Sequence, residues 1–150
     1  FFISHLNLLD QPILYLSKFI NENKNEYYRL LREVTEQGSW TRWLLYILEA
    51  VTQTSHYTLE KVNAIYNLFQ QTIDQVKEKA PKIYNYELIE MLFHQPYCKI
   101  TYLVDAGIAS RNTASKYLTE LEEMGILEKE QVGNESLYLN TKLFKLLSEG

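Results

Sequence analysis

At 150 residues with 46% hydrophobic side chains, the chain can bury one sizeable core or two small ones, and its composition is globular rather than disordered or fibrous. The single cysteine, Cys98, excludes an internal disulfide and a multi-cysteine zinc site, and no apolar run reaches bilayer-spanning length, so a cytoplasmic protein without a membrane partner is expected. The net charge of −4 is uneven: residues 1–83 hold 9 Lys+Arg against 9 Asp+Glu, whereas residues 84–150 hold 6 against 10, which argues against strong nonspecific binding to a polyanion.

The start, Phe1-Phe2-Ile3, lacks the basic region and cleavage pattern of a signal peptide. With no initiator methionine and apolar residues at the first positions, it reads as part of a longer protein. Asp10 is expected to cap a helix whose second residue is Pro12 and which places Ile13, Leu16 and Ile20 on one face. Asn21 to Asn25 interrupts it. Tyr27, Leu30, Leu31 and Val34 then mark an amphipathic helix that Gly38 ends, and Ser39 opens a third. Trp40, Trp43, Leu44, Ile47, Leu48 and Val51, widened by Leu45 and Tyr46, make this helix apolar over a broad face, so it is expected to be buried among others.

A further long helix is predicted from Leu59, where Val62, Tyr66, Phe69, Ile73, Val76 and Ala80 follow at alternating spacings of three and four until Pro81. Such a stripe either pairs with a second copy, giving a homodimer through Leu59 to Ala80, or packs within its own chain. The latter is favoured slightly, because Tyr66 at a seam position is unlike a zipper and the aromatic helices upstream need a cover. A hinge at Ala80 to Tyr84 divides the expected domains, a helical bundle over 1–83 and a second domain over 84–150.

The second domain begins with a helix capped by Asn85, carrying Leu88, Ile89, Leu92 and Phe93 and stopped by Pro96. Ile100 to Ala106 is a short apolar helix ended by Gly107, and Ser110 opens the next, its hydroxyl placed to accept from the backbone N–H of Asn112 or Thr113. Ala114, Tyr117, Leu118 and Leu121 give that helix an inward face, and Gly125 with Leu121 and Ile126 fits a Schellman cap at about Met124. Leu127 to Val132 and Ser136 to Leu139 are expected as strands joined through Gly133-Asn134, a two-residue hairpin pair. Leu143, Phe144, Leu146 and Leu147 close the chain with a short helix. The fold class is therefore mainly α, a helical bundle followed by a winged helix-turn-helix with a small two-stranded β wing.

In such a motif the second helix lays its N-terminal residues in the DNA major groove. The candidate DNA-binding residues are accordingly Ser110, Arg111, Asn112, Thr113, Ser115 and Lys116, with Thr119 further along the helix. Arg pairs with guanine, Asn with adenine, and Ser, Thr and Lys hold phosphates or base edges. The same residue types also serve capping and solvation at any exposed helix start. Glu128, Glu130 and Glu135 are expected to make the ribbon repel phosphate, leaving contact to Arg111, Asn112 and Lys116.

Catalytic chemistry is not indicated. His5, His56 and His94 lie at no recognisable ligand spacing, Glu122-Glu123 reads as a solvated surface, Cys98 as a packed side chain, and the glycines serve turns and caps rather than a phosphate loop.

Two groups of residues carry a family resemblance. Leu8-Leu9-Asp10-Gln11-Pro12-Ile13-Leu14-Tyr15-Leu16-Ser17, with Asn23-Lys24, Glu26-Tyr27-Tyr28 and Gly38-Ser39-Trp40, resembles the region that follows the active site in Fic family proteins. Ala106-Gly107-Ile108-Ala109-Ser110 and Thr113-Ala114-Ser115-Lys116-Tyr117-Leu118 resemble the winged helix at the C-terminus of many of them. The resemblance spans nearly the whole chain. It implies a protein that transfers AMP from ATP to a protein hydroxyl, using a His-Pro-Phe-x-x-Gly-Asn-Gly-Arg motif that this sequence does not contain. His94-Gln95-Pro96 is no substitute. No catalytic residue, cofactor or metal is therefore assigned to this chain, and ATP and Mg²⁺ are implied for the full-length family alone. Asn134 and Glu135 stand at a wing tip that is often basic in similar proteins. The leading expectation is a non-catalytic C-terminal region whose winged helix binds DNA or a protein partner; the alternatives are a freestanding dimeric winged-helix regulator and an interaction module that ignores DNA.

Overall fold

A computed structural model describes residues 15–133 and 135–148. The expected cap at Asp10 and the residues Pro12 and Ile13 lie outside them. Among the described residues there are seven helices: α1 (Leu16–Glu22), α2 (Lys24–Gln37), α3 (Trp40–Lys79), α4 (Tyr86–His94), α5 (Ile100–Asp105), α6 (Arg111–Glu123) and α7 (Thr141–Ser148). Three short strands, β1 (Tyr97–Cys98), β2 (Glu128–Val132) and β3 (Glu135–Leu139), form an antiparallel sheet in the order β1-β3-β2. The chain divides into two compact units, residues 1–62 and 63–150.

In the first unit the break after α1 is a single residue, Asn23, whose backbone N–H donates to the carbonyls of Phe19 and Ile20. Gly38, at φ 65°, ends α2 as expected, in a conformation that a β-carbon disfavours. The interior is aromatic. Tyr27 meets Trp43 at 5.1 Å between ring centroids, Trp43 stacks on Tyr46 at 6.2 Å, and Phe19 meets Tyr46 at 5.4 Å. Leu30 and Ala50 are buried in this unit, and Arg29 and Arg42 both bind Glu33 at the surface.

Two expectations are corrected here. The separate helices predicted after Ser39 and from Leu59 are one 40-residue helix, α3. No Gly or Pro lies between Ser39 and Pro81, and the polar residues between the apolar runs stay helical: the hydroxyls of Thr52, Ser55 and Thr58 donate to the carbonyls of Leu48, Val51 and Thr54 one turn back. The apolar face of its first part is not buried all round either, since Trp40, Leu44, Leu45 and Leu48 are 55–61% exposed. Among the described residues, Trp43 and Tyr46 meet the rings of Tyr27 and Phe19, and Ala50 is buried.

The second unit holds a contiguous apolar core. Ile73 and Val76 from the end of α3, with Ala80 just after it, join Leu88, Ile89 and Leu92 of α4, Leu103 of α5, Leu118 and Leu121 of α6, and Tyr138 of β3. The compact unit thus takes in the last part of α3 in addition to residues 84–150. Asn85 caps α4 as expected, its side chain accepting from the Glu87 N–H at 2.8 Å. Helices α5 and α6 end alike. The N–H of Gly107 donates to Val104 and that of Ile108 to Leu103, while Gly125 donates to Glu122 and Ile126 to Leu121, two Schellman caps on glycines with φ near 70°.

The sheet has one strand more than predicted. Tyr97 and Cys98 pair with Leu139 and Tyr138, a ladder too short to leave a periodic signature between Pro96 and Lys99. The two predicted strands pair, with Val132 opposite Glu135 and Gly133 at φ 61°; Asn134, the other residue of the expected turn, lies outside the described residues. Asn140, 3% exposed, ties three elements together. Its N–H donates to Pro96, its side-chain amide donates to the carbonyl of Leu92, and its Oδ1 accepts from Leu143 to cap α7.

Candidate nucleic-acid interface

Helix α6 turns Ala114, Leu118 and Leu121 fully inward, each 0% exposed. The 3.6-residue repeat then dictates what faces out. Arg111, Asn112, Lys116 and Thr119 are exposed, and Thr113 and Ser115 are half-buried. Ser110 is the N-cap residue, but its hydroxyl does not cap a backbone N–H as expected. It lies 2.9 Å from the Thr113 hydroxyl instead, so these two predicted contact residues hold each other. Lys116 and Ser115 line a shallow groove along the helix together with Thr119, Glu120 and Glu123. Two carboxylates therefore share the surface on which Lys116 would meet a phosphate.

Arg111 belongs to a different concavity. A cleft of about 160 Å³ is lined by Lys99, Ile100, Thr101, Arg111, Glu135 and Ser136, from the ends of β1, α5, α6 and β3. Lys99 has extended backbone angles and continues the line of β1, so the register of β1 against β3 would set it opposite Leu137 and diagonal to Glu135. Its ammonium lies 2.5 Å from a Glu135 carboxylate oxygen. Cross-strand partners share a face of a sheet, which puts Glu128, Glu130 and Glu135 on one side of the hairpin. The expectation that all three repel phosphate is thus modified: Glu135 is paired with Lys99, and Glu128 and Glu130 are exposed on β2.

Sequence reading missed Lys99, Thr101 and Ser136. Lys99 follows a two-residue strand and Ser136 lies 37 positions later, so nothing local links them. The hydrogen bond that Lys99 donates to Glu135 holds its ammonium above its ordinary pKa. Cys98, buried in β1, has its thiol pushed up to about 11 by desolvation, which suits the packed role expected and not a nucleophile. Among the described residues no cluster of His, Cys, Asp and Glu could hold a metal, and no helix is long and apolar enough to cross a membrane.

In the first unit, a pocket of about 260 Å³ is bordered by Tyr15, Lys18, Phe19 and Tyr57, with the Lys18 ammonium 4.2 Å from the centre of the Tyr57 ring. The Tyr57 hydroxyl titrates below its ordinary value, first because of its hydrogen bond with Lys61.

Residues 68–143, just over half of the chain, match the family described as "Protein adenylyltransferase SoFic-like, C-terminal domain". The match runs from the last part of α3 through the paired helices and the sheet to the start of α7. It agrees with the resemblance to Fic proteins drawn from Ala106–Ser110 and Thr113–Leu118, and the chain belongs to the SoFic-like protein adenylyltransferases, a Fic family, of which it carries the C-terminal domain.

Proposed function

We propose that the C-terminal unit is a winged helix-turn-helix that docks the start of α6 on DNA, as a non-catalytic accessory to an adenylyltransferase acting in the cytoplasm. AMP transfer from ATP to a protein hydroxyl falls to residues outside this chain, which lacks the Fic motif. The observation that carries the reading is the two-sidedness of α6: Arg111, Asn112 and Lys116 exposed, Ala114, Leu118 and Leu121 fully buried. Arg111 and Lys116 would engage guanine or phosphate and Asn112 adenine, with the partial positive charge of the helix start adding to the attraction. Binding is weak, because Glu120 and Glu123 flank Lys116.

Titration of a labelled duplex at low and moderate salt tests this. Lys116→Ala should weaken binding to every sequence and flatten the log–log salt slope by about one unit, whereas Asn112→Ala should relax preference at one base. Absence of binding at low salt, or binding unchanged in Arg111→Ala/Lys116→Ala, would remove α6 as a DNA reader. A second reading is favoured by one observation, the carboxylates Glu120 and Glu123 on the same groove as Lys116. They suit a basic protein segment better than a polyanion, and the same surface would then recruit a protein partner.

A further inference from the structure

We propose that the cleft bounded by Lys99, Arg111 and the hairpin is a binding site for a phosphate-sized oxyanion, and that Glu135 is its removable internal competitor. Two cations from separate elements converge on one concavity, Lys99 at the end of β1 and Arg111 at the start of α6. Thr101 and Ser136 also line it, the Ser136 hydroxyl being bonded to Gln131. Every charged group lining the cleft is therefore a donor except one. That one, Glu135, sits on the Lys99 ammonium at 2.5 Å, where an oxygen of a bound anion would sit. About 160 Å³ accommodates one tetrahedral oxyanion with a few waters, each taking about 30 Å³.

The competitor can leave at little expense. Glu135 is 62% exposed in its side chain and adjoins the two-residue turn, so its carboxylate can swing into solvent without moving the sheet. Exposed pairs of this kind hold weakly, because water screens both partners. A phosphate, carrying more charge and meeting Arg111 as well as Lys99, is the stronger ligand for the same donors. Lys99 stays protonated throughout, since its carboxylate partner raises its pKa and a phosphate would do likewise.

The oxyanion has two sources, free phosphate or a DNA backbone phosphate; only the second rests on the DNA reading above. The chain is titrated with inorganic phosphate at constant ionic strength and followed by backbone amide NMR, as wild type, Glu135→Gln and Lys99→Gln/Arg111→Gln. Saturable shifts confined to residues 99–101, 111 and 136 are expected, up to about fivefold tighter in Glu135→Gln and lost in the double variant. The same linear response in all three proteins overturns the site. A parallel titration with duplex DNA assigns the source. If Glu135→Gln tightens duplex binding and steepens the salt slope by about 0.9, the ligand is a backbone phosphate. Phosphate binding without duplex binding retains the cleft as a free-phosphate site and discards the DNA reading.

Discussion

Helix α3 has apolar side chains at helical spacing near both of its ends, yet the two ends have opposite fates. In the first unit Leu44, Leu48, Leu59 and Val62 are 52–61% exposed; in the second, Ile73, Val76 and Ala80 are 0–6% exposed and join the core with Leu88 and Leu118. Periodicity selects which side of a helix is apolar. Whether that side is covered depends on what the rest of the chain brings to it, and the second unit brings α4 to α6 while the described part of the first brings α1 and α2. The burial pattern therefore separates residues whose loss should unfold a unit from residues of the same type whose loss should not.

The largest effect should come from cutting a side chain in the covered region. Leu118 touches no solvent and sits between α6 and the rest of the second core, so Leu118→Ala is expected to destabilise that unit by about 2–5 kcal/mol through lost burial and the cavity left behind. Leu44→Ala, at 55% exposure, should stay within about 0.5 kcal/mol of wild type. Urea denaturation with a probe in each unit measures both. Comparable losses would mean that the exposed face of α3 is covered in solution.

A smaller contrast concerns two helix starts that look alike in sequence. Asn140 and Ser110 both precede helices, but Asn140 is buried and caps α7 through its Oδ1, whereas the Ser110 hydroxyl is spent on Thr113. Asn140→Ala should cost about 2 kcal/mol, near the upper end for a lost cap, because it also frees the Leu92 carbonyl. Ser110→Ala should cost a few tenths. Thermal unfolding of the two variants checks the order, and a Ser110→Ala loss as large as that of Asn140→Ala would show that the hydroxyl does cap α6.

The same pair shows what was legible in the sequence. The ends of α2, α4, α5 and α6 could be read because their determinants are local: a glycine at positive φ, an Asn two residues before the N–H it binds, apolar residues three and four apart. The inward face of α6 and the exposure of Arg111, Asn112 and Lys116 followed from that repeat. The unbroken course of α3 was also in the sequence, in the lack of any Gly or Pro between Ser39 and Pro81, but was obscured by the polar stretch from Thr52 to Thr58. Strand β1, the Asn140 ties to Leu92 and Pro96, and the meeting of Lys99 with Glu135 were not readable. Each depends on residues 36 to 48 positions apart that only the folded core brings together, or, for β1, on a partner strand some 40 residues later.

The smallest expected change in stability accompanies the test of self-association. The proposed homodimer through Leu59 to Ala80 cannot use the whole stripe, because Ile73, Val76 and Ala80 are already buried within the second unit. Phe69 is also engaged, edge-on to Phe93 at 5.1 Å and to Tyr86 at 5.9 Å, so a charge at Phe69 would unfold the unit whether or not a dimer exists. The free part is Leu59, Val62 and Tyr66, about a turn apart on the same side of the helix and 59%, 52% and 60% exposed. A seam there would bury side chains worth roughly 1.5–3 kcal/mol each, and a glutamate placed in it would leave a charge without a partner. Val62→Glu should therefore unfold no more readily than wild type, within about 0.5 kcal/mol, yet shift a concentration-dependent dimer to monomer in sedimentation equilibrium. A wild-type chain that stays monomeric at every concentration, or a dimer that persists in both Leu59→Glu and Val62→Glu, excludes pairing through this face.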